Sequence, residues 1–197
     1  MATKQTKLDA VNVVLSNIGQ APVASIDTSN PMVAMASNLI DEVSESLQAE
    51  GWSFNTERDY PFVPNTDKHI LIPANVLSFD TNDFNVTEVV VRDGKLYDKR
   101  AHSFVFNNTV NLDVVWFFDF EDLPVAFRNY IAMRAANLFA GRAVGSAEQV
   151  KFGEREEAQA RAALVEYETQ QGDFNMLSTS DNRLYRSYRP FDASYRI

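Results

Sequence analysis

Cysteine is absent from this 197-residue chain. Disulfides, thiolate zinc sites and a cysteine nucleophile are excluded with it. Histidine is scarce: only His69 and His102 occur, far apart and outside any metal or catalytic motif. The apolar runs, such as Val110–Phe120, are broken by charge well short of the ~18–20 residues that a membrane span requires. The opening stretch Met1–Lys7 carries two lysines but continues into Asp9 and Asn12, so it lacks the apolar centre of a signal peptide. A soluble protein made in a cytoplasm is expected. Gly-x-Ser-x-Gly, Gly-x-x-x-x-Gly-Lys and His-Glu-x-x-His are all missing. The acidic pairs Glu121/Asp122 and Glu156/Glu157 are sequence neighbours, which diverge by about a third of a turn on a helix and do not face each other as paired glycosidase acids do. His69 fits a strand edge beside Ile70 and Leu71, and His102 fits a polar turn. No catalytic residue, cofactor or metal ligand is expected.

What the chain does have is apolar and acidic. Hydrophobic residues make up 45% and aromatics 12%, with fourteen phenylalanines, which is enough for a real core. The net charge of −9 opposes binding to nucleic-acid phosphates. It is unevenly spread: residues 1–172 carry −10, whereas residues 173–197 hold four Arg against three Asp.

Period and punctuation predict four helices around a β-rich middle. The first runs from about Gln5 to Ile18 with Leu8, Val11, Leu15 and Ile18 on one face, and Gly19 and Pro22 end it. The second opens with Asn30 as cap and Pro31 at the first helical position. It carries the stripe Met32, Met35, Leu39, Val43 and Leu47 and closes at Gly51. Trp52 and Phe54 leave it as anchors. Residues 56–119 are interrupted by Pro61, Pro64 and Pro73 and enriched in β-branched and aromatic residues. Strands are expected near Lys68–Ile72, Val76–Phe79, Val86–Arg92, Lys95–Tyr97, Ser103–Phe106 and Val110–Phe118. Asp93–Gly94 is a two-residue hairpin turn and Asn107–Asn108 a second turn. Trp116, Phe117 and Phe118 are consecutive, so at least one is expected to leave the core.

Helix returns at Glu121-Asp122-Leu123-Pro124, with carboxylates at its start and Pro124 near the first position. Phe127, Ile131, Ala135 and Leu138 form its face, and it stops near Gly141–Gly145. Ser146-Ala-Glu-Gln149 fits a capping box for a last helix that ends before Gly172. That helix is heavily charged, so one narrow seam packs and the rest is wet or faces a partner. The expected fold is α+β: a four-helix bundle (1–55 and 120–172) interrupted by an antiparallel β lobe (56–119), with an extended C-terminal arm (173–197).

The same residues resemble a known family. Ala10-Val-Asn-Val-Val-Leu-Ser-Asn-Ile-Gly19 with Pro22-Val23 is similar to the opening of the tail tubular protein A family of T7-like short-tailed phages. Gly51-Trp-Ser-Phe-Asn55, Asp93-Gly-Lys-Leu-Tyr-Asp98 and Phe120-Glu-Asp-Leu-Pro-Val-Ala-Phe-Arg128 resemble successive segments of it. Glu156-Glu157, Ala160-Arg161, Glu166-Tyr-Glu168 and Gly172-Asp-Phe-Asn-Met-Leu177 resemble its ending. The resemblance rests on their ordered combination over residues 10–177; the arm beyond Leu177 has no counterpart. It implies a virion protein, assembled in the host cytoplasm: a twelve-subunit adaptor ring that joins the portal to the nozzle (tail tubular protein B), with DNA passing through without specific binding and no membrane contact.

Ring contacts join two different patches of each subunit. The Arg/Tyr arm supplies the first set of interface residues, Arg183, Tyr185, Arg186, Tyr188 and Arg189, since Arg and Tyr are enriched at interface hot spots. The charged face of the last helix follows, through Arg155 and Arg161. Two other readings stand beside this one. The arm can act on DNA, pairing phosphates and stacking bases, or lobe aromatics such as Tyr60, Phe62, Phe79 and Phe84 can stack on a glycan rather than fill the sheet core.

Overall fold

The computed structural model describes residues 5–81, 88–145 and 147–171, apart from the side chains of 144 and 147–149. The fold is α+β, with four α-helices and small antiparallel sheets. Helix α1 spans Lys7–Asn17. It opens on a capping box that sequence reading missed: the Thr6 hydroxyl accepts from the Asp9 amide at 3.2 Å and Asp9 accepts from the Thr6 amide at 2.8 Å. Ala10, Val11, Val14 and Leu15 are buried, so the stripe is rotated from the expected one and Leu8 and Ile18 are only half-buried.

Helix α2 spans Pro31–Gln48 and starts as expected: Asn30 Oδ1 accepts from the Met32 amide at 3.0 Å, with Pro31 at the first position. Leu39, Val43 and Leu47 are buried, whereas Val33, Ala36 and Ile40 take the places expected for Met32 and Met35, which are half-buried. Gly51 leaves at φ +75°, and a Cβ there would sit 3.4 Å from Val115.

The middle of the chain forms β1 (Thr56–Phe62), β2 (Val76–Asp80), β3 (Val89–Arg92), β4 (Lys95–Asp98) and β5 (Val110–Trp116). One sheet has the order β1-β5-β2, and β3 and β4 form a hairpin. Asp93 and Gly94 turn it at φ 51° and 69°, the double left-handed geometry of a tight hairpin. β1 was not anticipated, because Pro61 suggested an interruption. Proline is tolerated on an edge strand, and β1 is an edge with a register shift between Glu57 and Tyr60. The expected strands at Lys68–Ile72 and Ser103–Phe106 reduce to single bridges, Leu71 to Lys95 and Ser103 to Asp98. Residues 82–87 lie outside the described chain.

A 3-10 turn at Phe120–Asp122 leads into α3 (Val125–Phe139), a π turn follows at Ala140–Val144, Gly145 takes φ 68°, and α4 runs Ala147–Gln171. Two expectations at the α3 entrance change. Pro124 sits at the cap rather than the first helical position, and Glu121 accepts from the Lys7 amide at 3.0 Å, so its carboxylate serves the N-terminus of α1. Helix α3 is buried nearly all round, through Phe127, Tyr130, Ile131, Ala132, Ala135, Ala136 and Phe139, and contacts α1, α2 and α4. Leu138 is half-buried.

Two apolar clusters result. The helical one includes Ile40, Leu47, Phe127, Ile131, Phe139 and Leu164, and the β one includes Phe62, Ile70, Leu96, Leu112 and Val114. Trp116 packs against the β cluster and Phe118 against the helical one. Strand β5 ends at Trp116, so alternation does not extend to 118; Phe117 packs against neither cluster, as expected of one of the three, and all three residues are half-buried. Where the chain passes between the clusters, two buried amides bind the strands together. Gln48 exchanges hydrogen bonds with the Phe118 backbone at 2.8 and 3.0 Å, and Asn55 Nδ2 donates to the carbonyls of Gln48 (2.9 Å) and Trp116 (2.8 Å). Trp52 and Phe54 are anchors as expected: their ring centroids lie 5.1 and 4.6 Å from that of Phe127.

Phe127 is fully buried at the meeting point of those rings and Tyr167. Phe127→Ala is expected to lower unfolding free energy by about 3–5 kcal/mol, read as a fall in the urea midpoint with an unchanged slope.

Candidate assembly interface

Among the described residues, no helix is long and apolar enough to cross a membrane, and no cluster of His, Asp or Glu is arranged to hold a metal. The surface with the most unusual construction is α4. Among the described side chains of its 25 residues, Leu164 is the one large side chain that is fully buried. Placed at about 100° per residue, Gly153, Glu157, Ala160, Leu164 and Tyr167 form one narrow stripe against the body, and Lys151, Arg155 and Ala162 lie about opposite. Accessibility follows that division: Gly153 and Leu164 are buried, and Lys151, Arg155, Gln159, Ala162 and Glu166 are exposed. The narrow seam read from the sequence is present.

Polar contacts supplement the seam. Arg134 of α3 donates to Glu157 at 2.6 Å, and Asn137 Nδ2 donates to the other oxygen of Glu157 at 2.9 Å. Burial disfavours the Arg134 charge, but the Glu157 bond and the Tyr130 and Glu157 charges outweigh it, and the guanidinium pKa is raised. Glu168 accepts from the Ser53 amide at 2.7 Å and its hydroxyl at 2.9 Å. Gly153 makes the approach possible: a Cβ there would stand 2.6 Å from Asn137 Oδ1.

Arg161, one of the two helix cations proposed from sequence, is held within the subunit. It grips both oxygens of Glu50 at 2.5 and 3.3 Å and lies over the rings of Trp52 (4.9 Å) and Tyr130 (5.3 Å). It reaches from α4 across α3 to the end of α2, over a shallow groove lined by Val43, Leu47, Tyr130 and Arg134. Arg155, the other, is exposed and has no ion pair among the described residues. The arm residues Arg183, Tyr185, Arg186, Tyr188 and Arg189 lie outside the described residues, as does Ser146 of the expected capping box. Sequence reading missed Phe152, which is 76% exposed and the most exposed large apolar side chain among the described residues. The signal was available, since Phe152 is out of phase with the stripe.

Helix α2 presents a second outward face, with Asn38, Asp41, Glu42, Glu45 and Ala49 exposed. Asp41 pairs with Lys7 at 2.7 Å and Glu42 accepts both Arg142 bonds at 2.9 and 3.0 Å. The Arg142 hydrogen bonds hold the Glu42 carboxyl below its usual range and raise Arg142. In the lobe, Phe62 is buried and Phe79 half-buried, and Tyr60 is edge-on to Phe62 (5.1 Å) and Trp116 (5.2 Å). These are packing geometries rather than a flat sugar platform, and Phe84 lies outside the described residues. His69 is half-buried with its ring 6.4 Å from Phe104, and His102 occupies an exposed turn at φ 52°.

Comparison with known proteins places this sequence in a family. The family model for "tail tubular protein" matches residues 8–174. The chain is also 30% identical over 186 residues to tail tubular protein A of Klebsiella phage KP34, covering 93% of this chain and 96% of that protein.

Two outcomes test the α4 attachment. Gly153→Ala gains up to ~1 kcal/mol of helix propensity but forces Asn137 off Glu157, an overpacking cost of about 1–3 kcal/mol. A net loss is expected, read as a lower melting temperature. For pH, a carboxylate lowered in the folded state stabilises above its unfolded pKa and loses that contribution as pH falls through the folded one. Glu42→Gln is therefore expected to flatten the fall in melting temperature below about pH 4 while shifting neutral-pH stability only slightly.

Proposed function

The chain belongs to the tail tubular protein family, and from that premise we propose that this structural protein of the phage virion forms an adaptor ring. About twelve copies close head to tail between the portal and the tail nozzle, around the channel through which DNA leaves. The extent of the match, nearly the whole chain in order, carries the reading. The helices act as one bundle (1–55 and 120–172) that meets neighbouring subunits and the portal, the lobe (56–119) points outward or toward the nozzle, and the arm (173–197) engages the portal through Arg183, Tyr185, Arg186, Tyr188 and Arg189.

The physical chemistry supports this role. A ring of subunits at −9 each surrounds DNA with acidic surface, which repels phosphate and suits a conduit that does not hold its cargo. The exposed pole of α4 and the exposed face of α2 are two different patches, as head-to-tail closure requires. Residues 56–119 are joined to the helices through the amides of Gln48 and Asn55, so force on the lobe is delivered to the helical body rather than to a slack linker. The role involves no turnover and no cofactor.

Mass measurement of the portal ring with and without the 22.2 kDa chain tests the proposal. A gain of about 270 kDa is expected from twelve copies; a chain that stays monomeric with its portal overturns it. Deleting residues 178–197 is expected to leave the subunit folded, by its unfolding midpoint, and to abolish the mass gain. Retained attachment overturns the arm assignment alone.

A further inference from the structure

Within the proposed ring, on which this inference rests, we propose that the joint between neighbours is made by the outward pole of α4 on one subunit against the outward face of α2 on the next. Lys151 and Arg155 are four positions apart, so they stand about 6 Å apart along one helix face. Both are exposed and make no ion pair among the described residues. Exposed Phe152 lies beside them. An acidic protein that pairs Arg134, Arg142 and Arg161 internally leaves these two cations together and, among the described residues, unpaired.

Their complement is on the same chain. Asp41 and Glu45 are also four positions apart, on the exposed face of α2, so a basic pair and an acidic pair share one spacing. Glu45 has no ion pair among the described residues, and Asp41 is 60% exposed despite its bond to Lys7. The residues that continue each face are small: Ala158 and Ala162 on α4 and Ala49 at the cap of α2, all exposed. Small residues let two helix axes approach closely enough for the flanking charges to meet. The two patches belong to different helices on different sides of α3, so their contact is heterologous and propagates around an axis. A second copy of this chain is thus the occupant that the charge pattern fits. In a DNA-facing role the same basic pair would be flanked by Glu154 and Glu156, which oppose phosphate.

A charge exchange tests this with full-length chains and the portal ring. Lys151→Glu/Arg155→Glu makes both patches acidic, and Asp41→Lys/Glu45→Lys makes both basic. Each variant alone is expected to lose the ring mass. A one-to-one mixture is expected to recover it, because every joint in an alternating ring then pairs opposite charges, and recovery itself shows that both variants fold. Ring formation by either variant alone overturns the joint while leaving the ring in place, as does a mixture that stays dispersed while the unaltered chain assembles. If the unaltered chain forms no ring on its portal, the adaptor reading and this joint fall together.

Discussion

The burial of α3 is the constraint from which the rest of the structure follows. A helix with Phe127, Ile131, Ala132, Ala135, Ala136 and Phe139 buried needs neighbours on every side. Helices α1 and α2 and the aromatic turn 52–54 cover part of it, and α4 covers the remainder. Its buried polar side chains, Arg128 and Asn137, each make at least one hydrogen bond. Arg128 Nη1 donates to the Gln5 carbonyl at 2.8 Å, fixing the entry to α1, and Asn137 donates to Glu157, fixing α4. Even the carboxylate just before α3 is drawn in, since Glu121 serves the first turn of α1. The order of elements in space is set by one helix that no single neighbour can cover.

Much of this was legible locally. Asn30-Pro31, Gly51 and Asp93-Gly94 are signals with a backbone mechanism, and each stands where it was placed. Errors arose where tertiary context decides. Pro61 breaks a central strand but not an edge, and no local signal says which strand is the edge. The runs 68–72 and 103–106 have strand composition yet make one bridge each, because β-propensity reflects the neighbours available. The α1 and α2 stripes drifted because Leu and Met were favoured over Ala and Val. Alanine at a close crossing is buried by the neighbouring helix, not by its own size.

The candidate site divides in the same way. Arg155 and Arg161 look alike in the sequence, and six positions separate them. Six positions are about 240° on a helix, enough to carry one to the outward pole while the other reaches Glu50 and the Trp52 ring. Once Gly153, Leu164 and Tyr167 are known to form the seam, the roles of the two arginines follow from phase. The seam itself was hard to read because glycine and alanine provide much of it. Hydrophobic periodicity registers large side chains, whereas here the close approach depends on the absence of one.

The manner of attaching α4 also fits the proposed assembly from free subunits. A broad apolar outer face would give a stronger joint, but a free acidic monomer carrying it would present an aggregation site. Charge and alanine dominate the outward pole, with Phe152 and Val165 as the exposed large apolar side chains among the described residues of α4. Exposed ion pairs contribute only ~0–1 kcal/mol each, so one such joint between two free subunits is weak. Closure changes the balance. The last joint of a ring forms between ends already held together, without the loss of translational freedom that opposes each earlier joint. In the proposed assembly, a portal that held the first subunits in place would extend the same advantage to the rest. In the proposed ring, weak, charge-directed joints would suffice on closure and fail in fragments, which would favour complete rings over partial ones.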